Sequence, residues 1–395
     1  MRKLSLLGIT GVAVYAFLIF TGSHWVGRPM GDLELAYQFW VNNGMPYGLS
    51  TDWVYPFIAL LPMWLANAAN PGHLELPWLF GCAILTVTST LVIAGKIGTR
   101  RAFEAMYFWL GATLLLGPVA ISRLDTVSVI FAVLAVFSLA RRENSWTVTL
   151  LTFATWLKVW PLALLLGLFA ALRRRWRALT AISFANLAVL AVAFLIGGNA
   201  SVFSFLANQA GRGIQIEAPI ADFWLWPAVF GSQGFGIRYS SEMMTFQVVG
   251  PNTEMFAALL SLVQIGALAI TLALGWIGRR RGASFESVFF WVSFTAILDL
   301  IFFNKVGSPQ YQTWLAVPVI YGLLVALPKM RTPVILVLVL SLLTWLIYPI
   351  TYDGLLQGNW FATALLTLRN LVLLFALVYG NLGLQKLGQK RADNL

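Results

Sequence analysis

Long apolar runs, each ended by polar or charged residues, recur from one end of the chain to the other. A helix needs about 20 apolar residues to cross a bilayer, and fewer when it packs inside a bundle. On that measure the pattern predicts spans near 4–22, 78–97, 104–121, 124–140, 145–159, 160–172, 178–196, 254–277, 286–303, 313–327, 332–350 and 360–379. These are twelve spans, so both termini fall on one side. The fifth and sixth are short and meet at Lys158-Val159-Trp160-Pro161, where proline, lacking an N–H, forces a break. They read as a helical hairpin. Segment 53–69 is also apolar, but counting it as a span would invert everything after it. It reads as a helix lying in, or dipping into, the outer interface. The first run follows Arg2-Lys3 without a small-residue cleavage site, which predicts an uncleaved signal anchor.

Two long connections remain, near 23–77 and 198–253, both on the side opposite the termini. In the first, Leu33, Ala36, Tyr37 and Trp40 recur at helical spacing, which predicts a short amphipathic surface helix. Gly44 is placed to end it in the left-handed conformation, with Pro46 as the breaker beyond. The second connection is read as loop.

Charge then fixes orientation. Seven Lys/Arg groups punctuate the runs: Arg2-Lys3, Lys96 with Arg100-Arg101, Arg141-Arg142, Arg173 to Arg177, Arg279 to Arg281, Lys329 with Arg331, and Lys386 with Lys390-Arg391. They hold 19 of the 26 basic residues, and the twelve-span layout puts all of them on one face. Cytoplasmic loops collect Lys and Arg, so that face is the inside. The other seven are single: Arg28, Arg123, Lys158, Arg212, Arg238, Lys305 in or beside the outer gaps, and Arg369 within a span. The acids Asp32, Glu34, Asp52, Glu75, Asp125, Glu217, Asp222, Glu242, Glu254 and Asp353 lie outside. With 59% hydrophobic and 10% charged residues, against about 25% charged in soluble domains, the chain reads as an all-α polytopic membrane protein, a single domain over 1–395. The inside bias accounts for the net charge of +11, so no nucleic-acid partner is implied. Cys82 is the only cysteine and excludes an internal disulfide. The absence of internal or inverted repeats argues against a secondary transporter.

Cations kept outside without an orienting role mark where chemistry is to be sought. Asp32 starts the surface helix; it either caps that helix and complements its dipole, or serves as a general base at the membrane face. Glu34 points to another face. Lys158, at the hairpin turn, either snorkels to the interface or binds a lipid phosphate and steadies its developing charge. In the tight link Ser122-Arg123-Leu124-Asp125, Arg123 and Asp125 read as serving the flanking helix ends, Asp125 at the start of the next helix and Arg123 at the carbonyls of the previous one. Lys305 is a second candidate phosphate ligand, with Arg123 next in line, and Gln310 and Tyr311 would bind hydroxyls. Asp299 and Arg369 are expected in the membrane, paired with each other or with another partner, Arg369 alternatively with a donor. His24 and His73 are isolated, and Asp32 and Glu34 diverge on a helix, so no metal and no cofactor is expected. Walker, dinucleotide and HExxH motifs are absent.

Asp32 with Tyr37, then Gly44-Met45-Pro46-Tyr47 and Tyr55-Pro56, resembles the first-loop pattern of the GT-C polyprenyl-phosphate-mannose-dependent alpha-mannosyltransferases, which include the actinobacterial enzymes of phosphatidylinositol-mannoside assembly. Phe57 stands where that pattern has a second proline. Asn304-Lys305-Val306, Gln310-Tyr311 and Trp314 are similar to that group's later signature, and to the enzyme adding the first mannose to glycosylphosphatidylinositol. The resemblance implies a GT-C bundle, Asp32 as catalytic base, Lys158 as phosphate ligand, and Tyr37, Tyr47, Asp125, Gln310 and Tyr311 about the sugar or acceptor; the Arg-x-Asp of Arg123 and Asp125, often present in related enzymes, gives the alternative that both line the sugar pocket. It implies an inverting transfer, with mannose the expected sugar, from a polyprenyl-phosphate donor to a lipid-linked or cell-envelope glycan at the outer face of the plasma membrane. Two alternatives stay open: a polyprenyl-phosphate-arabinofuranose transferase, and a transporter or flippase of lipid-linked sugars.

Overall fold

The computed structural model describes residues 1–25, 27, 29–173, 175–208, 211–241 and 244–389. Arg28, Arg174, Glu242, Lys390 and Arg391, named above among the charged groups, lie outside the described residues. The chain is nearly all-α. Helix α1 spans Arg2–His24; a π-turn at Leu33–Tyr37 runs into α2, Gln38–Asn42, where the surface helix was expected. Gly44 follows with φ of 63°, the left-handed stop. A 3₁₀ turn at Phe57–Ala59 leads into α3, Leu60–Ala69. Then come α4 (Glu75–Ile97), α5 (Arg100–Leu116), α6 (Leu124–Ala140), α7 (Asn144–Leu157), α8 (Leu162–Ala171) and α9 (Arg175–Leu195). The second long connection holds α10 (Ser204–Ala207), α11 (Asp222–Val229) and a hairpin of β1 (Gly236–Ser240) and β2 (Thr245–Val249). The last group is α12 (Thr253–Arg280), α13 (Phe285–Phe302), α14 (Gln312–Leu324), α15 (Arg331–Trp345), the short α16 (Tyr352–Leu356) and α17 (Trp360–Gln385).

Each of the twelve predicted apolar segments is a helix. Among the described residues six of them, α1, α4, α12, α13, α15 through Ile350, and α17, are long and apolar enough to cross a membrane by length and composition. Local chemistry sets several starts. Thr99, Ser284 and Asn359 turn side-chain oxygens onto the free N–H groups of Ala102, Ser287 and Phe361 at the beginnings of α5, α13 and α17. The break between α7 and α8 falls at Lys158–Pro161, as Pro161 demands. The hairpin is a departure from the all-α expectation. Ile237, Tyr239, Phe246 and Val248 favour extended backbone, and the two strands pair antiparallel from Gly236 opposite Val249 to Ser240 opposite Thr245.

Helices α6, α13 and α14 are buried along most of their length and form the centre. Around them α13 packs on α8, α12 and α17, α14 on α5, and α6 on α7. Neighbour contacts bring the basic groups to one end. Leu4 abuts Gly95, so Arg2-Lys3 lies beside Lys96; Leu338 abuts Gly111 and Trp345 abuts Gly117, so α5 and α15 run together from Arg100 and Arg331. Met330 abuts Gly322 at the end of α14, and the charges of Arg142 and Glu286 both act on Tyr321 there. Arg279 donates to the Ala171 carbonyl at 2.7 Å, and Leu387 abuts Gly278. The opposite end carries both long connections.

Asp299 and Arg369 do not pair with one another, contrary to the first of the two expectations. Thr271 donates to the Asp299 carboxylate at 2.6 Å, whereas Arg369 donates to the Glu217 carbonyl and, at 2.9 Å, to Asn370 Oδ1. Each finds its own partner because the two sit on helices with different polar neighbours.

Candidate functional site

The site is built around the four-residue link between α5 and α6. Arg123 is extended there and Asp125 opens α6. Asp125 is 1% exposed, and both its oxygens are engaged: Lys158 Nζ lies 2.5 Å from Oδ2, and Trp314 Nε1 donates to Oδ1 at 2.7 Å. A buried carboxylate requires such partners. It also explains why Lys158 points inward at the α7–α8 break instead of out to solvent. The ammonium faces the rings of Tyr55, at 5.3 Å, and Tyr311, at 5.7 Å. Tyr311 stacks on Trp314 at 4.1 Å, and Trp314 on Trp160 at 5.5 Å and 7°. Asp125, expected at a sugar, is instead the floor on which Lys158 stands.

Lys158, Lys305, Gln310 and Tyr311 line one cavity of about 520 Å³. Its polar end lies at the end of the bundle that carries the long connections. Its apolar end runs down between α8, α12 and α13, past Leu162, Leu166, Ile265, Leu268 and Leu300. Arg212 lines the same polar end. Its Nε is buried and has no hydrogen-bond partner among the described residues. Burial, and the positive charge of Arg212, hold the Lys305 ammonium below its ordinary pKa.

The second connection carries Arg212 and, through its backbone, holds the α13–α14 link that bears Lys305. Residues 214–216 run beside β2, with Val248 N donating to the Ile214 carbonyl at 3.0 Å and Ile216 N to the Phe246 carbonyl at 3.2 Å. On the other edge Gln215 N donates to the Lys305 carbonyl at 2.9 Å, and Gly307 N to Gln215 Oε1 at 3.1 Å. A Cβ on Gly307 would sit 2.2 Å from Ala218 N, so only glycine permits this approach. Arg212 and Lys305 thereby reach one wall of the cavity from positions far apart in the chain. Farther along, Ser204 and Asn208 hold Trp53 of the first connection through its backbone at 2.9 to 3.1 Å.

Asp32 is not among the residues lining this cavity. It makes no capping hydrogen bond; its carboxylate is ion-paired with Arg123 and 48% exposed, while the Arg123 side chain is 8% exposed. Arg123 also reaches the Tyr348 hydroxyl at 3.4 Å. Arg123 is thus committed to Asp32 and lies outside the cavity lining, against the expectation of a phosphate ligand. Tyr37 is 2% exposed, and its hydroxyl accepts from Leu124 N at 2.8 Å. It pins the surface helix to the link, and it does not line the cavity. Tyr47 is half-buried and also outside the cavity lining; its hydroxyl accepts from Asn43 Nδ2 at 2.9 Å.

Comparison with known proteins returns no matching family model and no matching curated protein.

Two residues to which the sequence assigns no site role are placed prominently by the fold. Arg212 stands in the sequence only as one of the single outer cations; Gly213, where a Cβ would sit 2.3 Å from Gln247 Oε1, is the available signal that the chain is held close there. Glu217 is buried in the same connection, where burial lifts its carboxyl to about 7, against the pull of Arg369, the Tyr352 hydroxyl and Arg123.

Proposed function

We propose that this chain is an inverting membrane glycosyltransferase that moves a sugar, with mannose the first candidate, from a polyprenyl-phosphate donor to a hydroxyl of a lipid-linked or envelope-glycan acceptor. The observation carrying the reading is the cavity: an apolar trough between helices that ends at Lys158, Lys305 and Arg212 suits one amphiphile, an apolar chain bearing a phosphate. On this reading the twelve helical segments form a GT-C-like bundle in the plasma membrane, with the basic end cytoplasmic, both termini inside and the cavity mouth outside.

The chemistry is a single displacement. The acceptor oxygen attacks the anomeric carbon, the bond from that carbon to the phosphate oxygen breaks, and its electron pair leaves with the phosphate. The acceptor proton passes to Asp32, which is exposed enough to be reached and held in place by Arg123. Inversion follows from attack opposite the phosphate. The cations stabilise the leaving group as its charge grows, where such stabilisation acts most on rate. No nucleotide is required, because the phosphate–sugar bond already holds the activation.

The test is to incubate purified protein in lipid vesicles with radiolabelled polyprenyl-phosphate mannose and a membrane lipid extract, and to identify the labelled product. New labelled glycolipid is expected. Movement of intact donor across the vesicle membrane without any new product would favour a flippase instead, and transfer only from the arabinofuranose donor would change the sugar.

A further inference from the structure

We propose that Arg212 and Lys305 together grip the spent lipid phosphate more tightly than the incoming sugar donor, so that the product acts as a brake on turnover. The inference rests on the transferase reading above. The donor is a phosphodiester with one negative charge. Once the bond from the sugar carbon to the phosphate oxygen breaks, the lipid keeps a phosphate monoester, which carries about −1.5 to −2 at neutral pH.

The cavity is built for the larger charge. Lys158 is already answered by Asp125 at 2.5 Å, so the carboxylate offsets much of its field. Arg212 and Lys305 line the same end of the cavity, close enough for the charge of Arg212 to add to the cost of charging Lys305. Buried Arg212 Nε has no hydrogen-bond partner among the described residues. Two cations held side by side are relieved by an anion between them, and relieved further by a second negative charge. The guanidinium fork offers paired donors to phosphate oxygens, and a monoester exposes one more unsubstituted oxygen than a diester. The same preference that helps the leaving group depart in the transition state then delays its release. Sustained turnover would need a following reaction that withdraws lipid monophosphate from this face of the membrane, by transport or by re-esterification.

The probes are farnesyl phosphate and its methyl diester, titrated into the purified full chain in detergent by calorimetry. Wild-type protein is expected to bind the monoester about 10-fold or more tightly than the diester, the scale of one charge-assisted hydrogen bond. Arg212→Ala is expected to bring the two affinities within about 3-fold of each other, with Arg212→Lys between. Arg212→Gln and a thermal melt of each variant guard against reading misfolding as lost preference. Equal affinities in the wild type, or an undiminished preference in both Arg212→Ala and Arg212→Gln, overturn the brake while leaving the transferase reading intact. If the wild type binds neither lipid, both fail.

Discussion

Replacing Lys158 by Met is the most informative single change to the architecture. In the wild type Asp125 is 1% exposed and Lys158 13% exposed, at 2.5 Å. Methionine keeps most of the lysine's volume but leaves Asp125 Oδ2 without its cation, while Oδ1 keeps the Trp314 indole. Removing one partner of a buried pair costs about 3–5 kcal/mol, because the remaining charge is uncompensated. Burial here is close to complete, so little of that is lost to solvent screening. The double variant Lys158→Met/Asp125→Asn removes both charges, and its amide can still accept from Trp314. It should recover at least about 2 kcal/mol of the loss. The assay is thermal unfolding in detergent followed by tryptophan fluorescence. The single variant should melt roughly 5–10 °C below wild type, and the double variant should regain at least a third of that difference. Both should bind the lipid phosphate weakly, since both lack the ammonium. A single variant as stable as wild type, or a double variant no better than the single, would refute the role of Asp125 as the buried counter-ion of Lys158.

Three further outcomes follow from other parts of the molecule. Gly307→Ala should weaken donor binding and destabilise by about 1–3 kcal/mol, measured by titration and melting, because its Cβ would meet backbone at 2.2 Å and push Lys305 from the cavity wall; an unaltered variant would contradict that packing. Glu217, lifted by burial from 4.5 to about 7, favours folding fully below pH 4.5 and loses that contribution as pH rises through 7, so wild type should fall relative to Glu217→Gln by up to about 3 kcal/mol between pH 5 and 8 in paired melts; parallel pH profiles would exclude this. Cysteine placed at exposed Met45 should react with an impermeant thiol reagent in whole cells and cysteine at exposed Trp176 should not, with buried Cys82 silent; the reverse pattern would invert the orientation.

Much of the helical layout was legible because its causes are local. Apolar length gives a helix, Pro161 ends one, and Gly44 turns the chain where a left-handed residue is needed. The basic groups collect at one end because the helices between them alternate in direction. The hairpin was not legible, because two five-residue strands in a connection leave no long periodic signal. The site was half legible. Lys158, Lys305, Gln310 and Tyr311 share a cavity, as lone polar residues at helix ends in an apolar chain suggested. What escaped was pairing across long stretches of sequence. Trp314 meets Asp125 from 189 residues away, and Tyr37 meets Leu124 from 87. Such contacts turn two apparent sugar ligands into supports. Likewise Arg212 reaches the cavity only because backbone bonds from β2 to residues 214–216, and on to Lys305, carry it there.

On the proposed function the 122–125 link serves two groups at once, Asp125 steadying the phosphate-binding Lys158 and Arg123 steadying the base Asp32. This arrangement is tested most directly with Asp32→Asn, measuring farnesyl-phosphate binding and sugar transfer on the same purified sample. Binding should stay within about 2-fold of wild type while turnover falls at least about 100-fold, the contribution of a positioned general base. Wild-type turnover by Asp32→Asn, or loss of lipid binding in step with turnover, would contradict it.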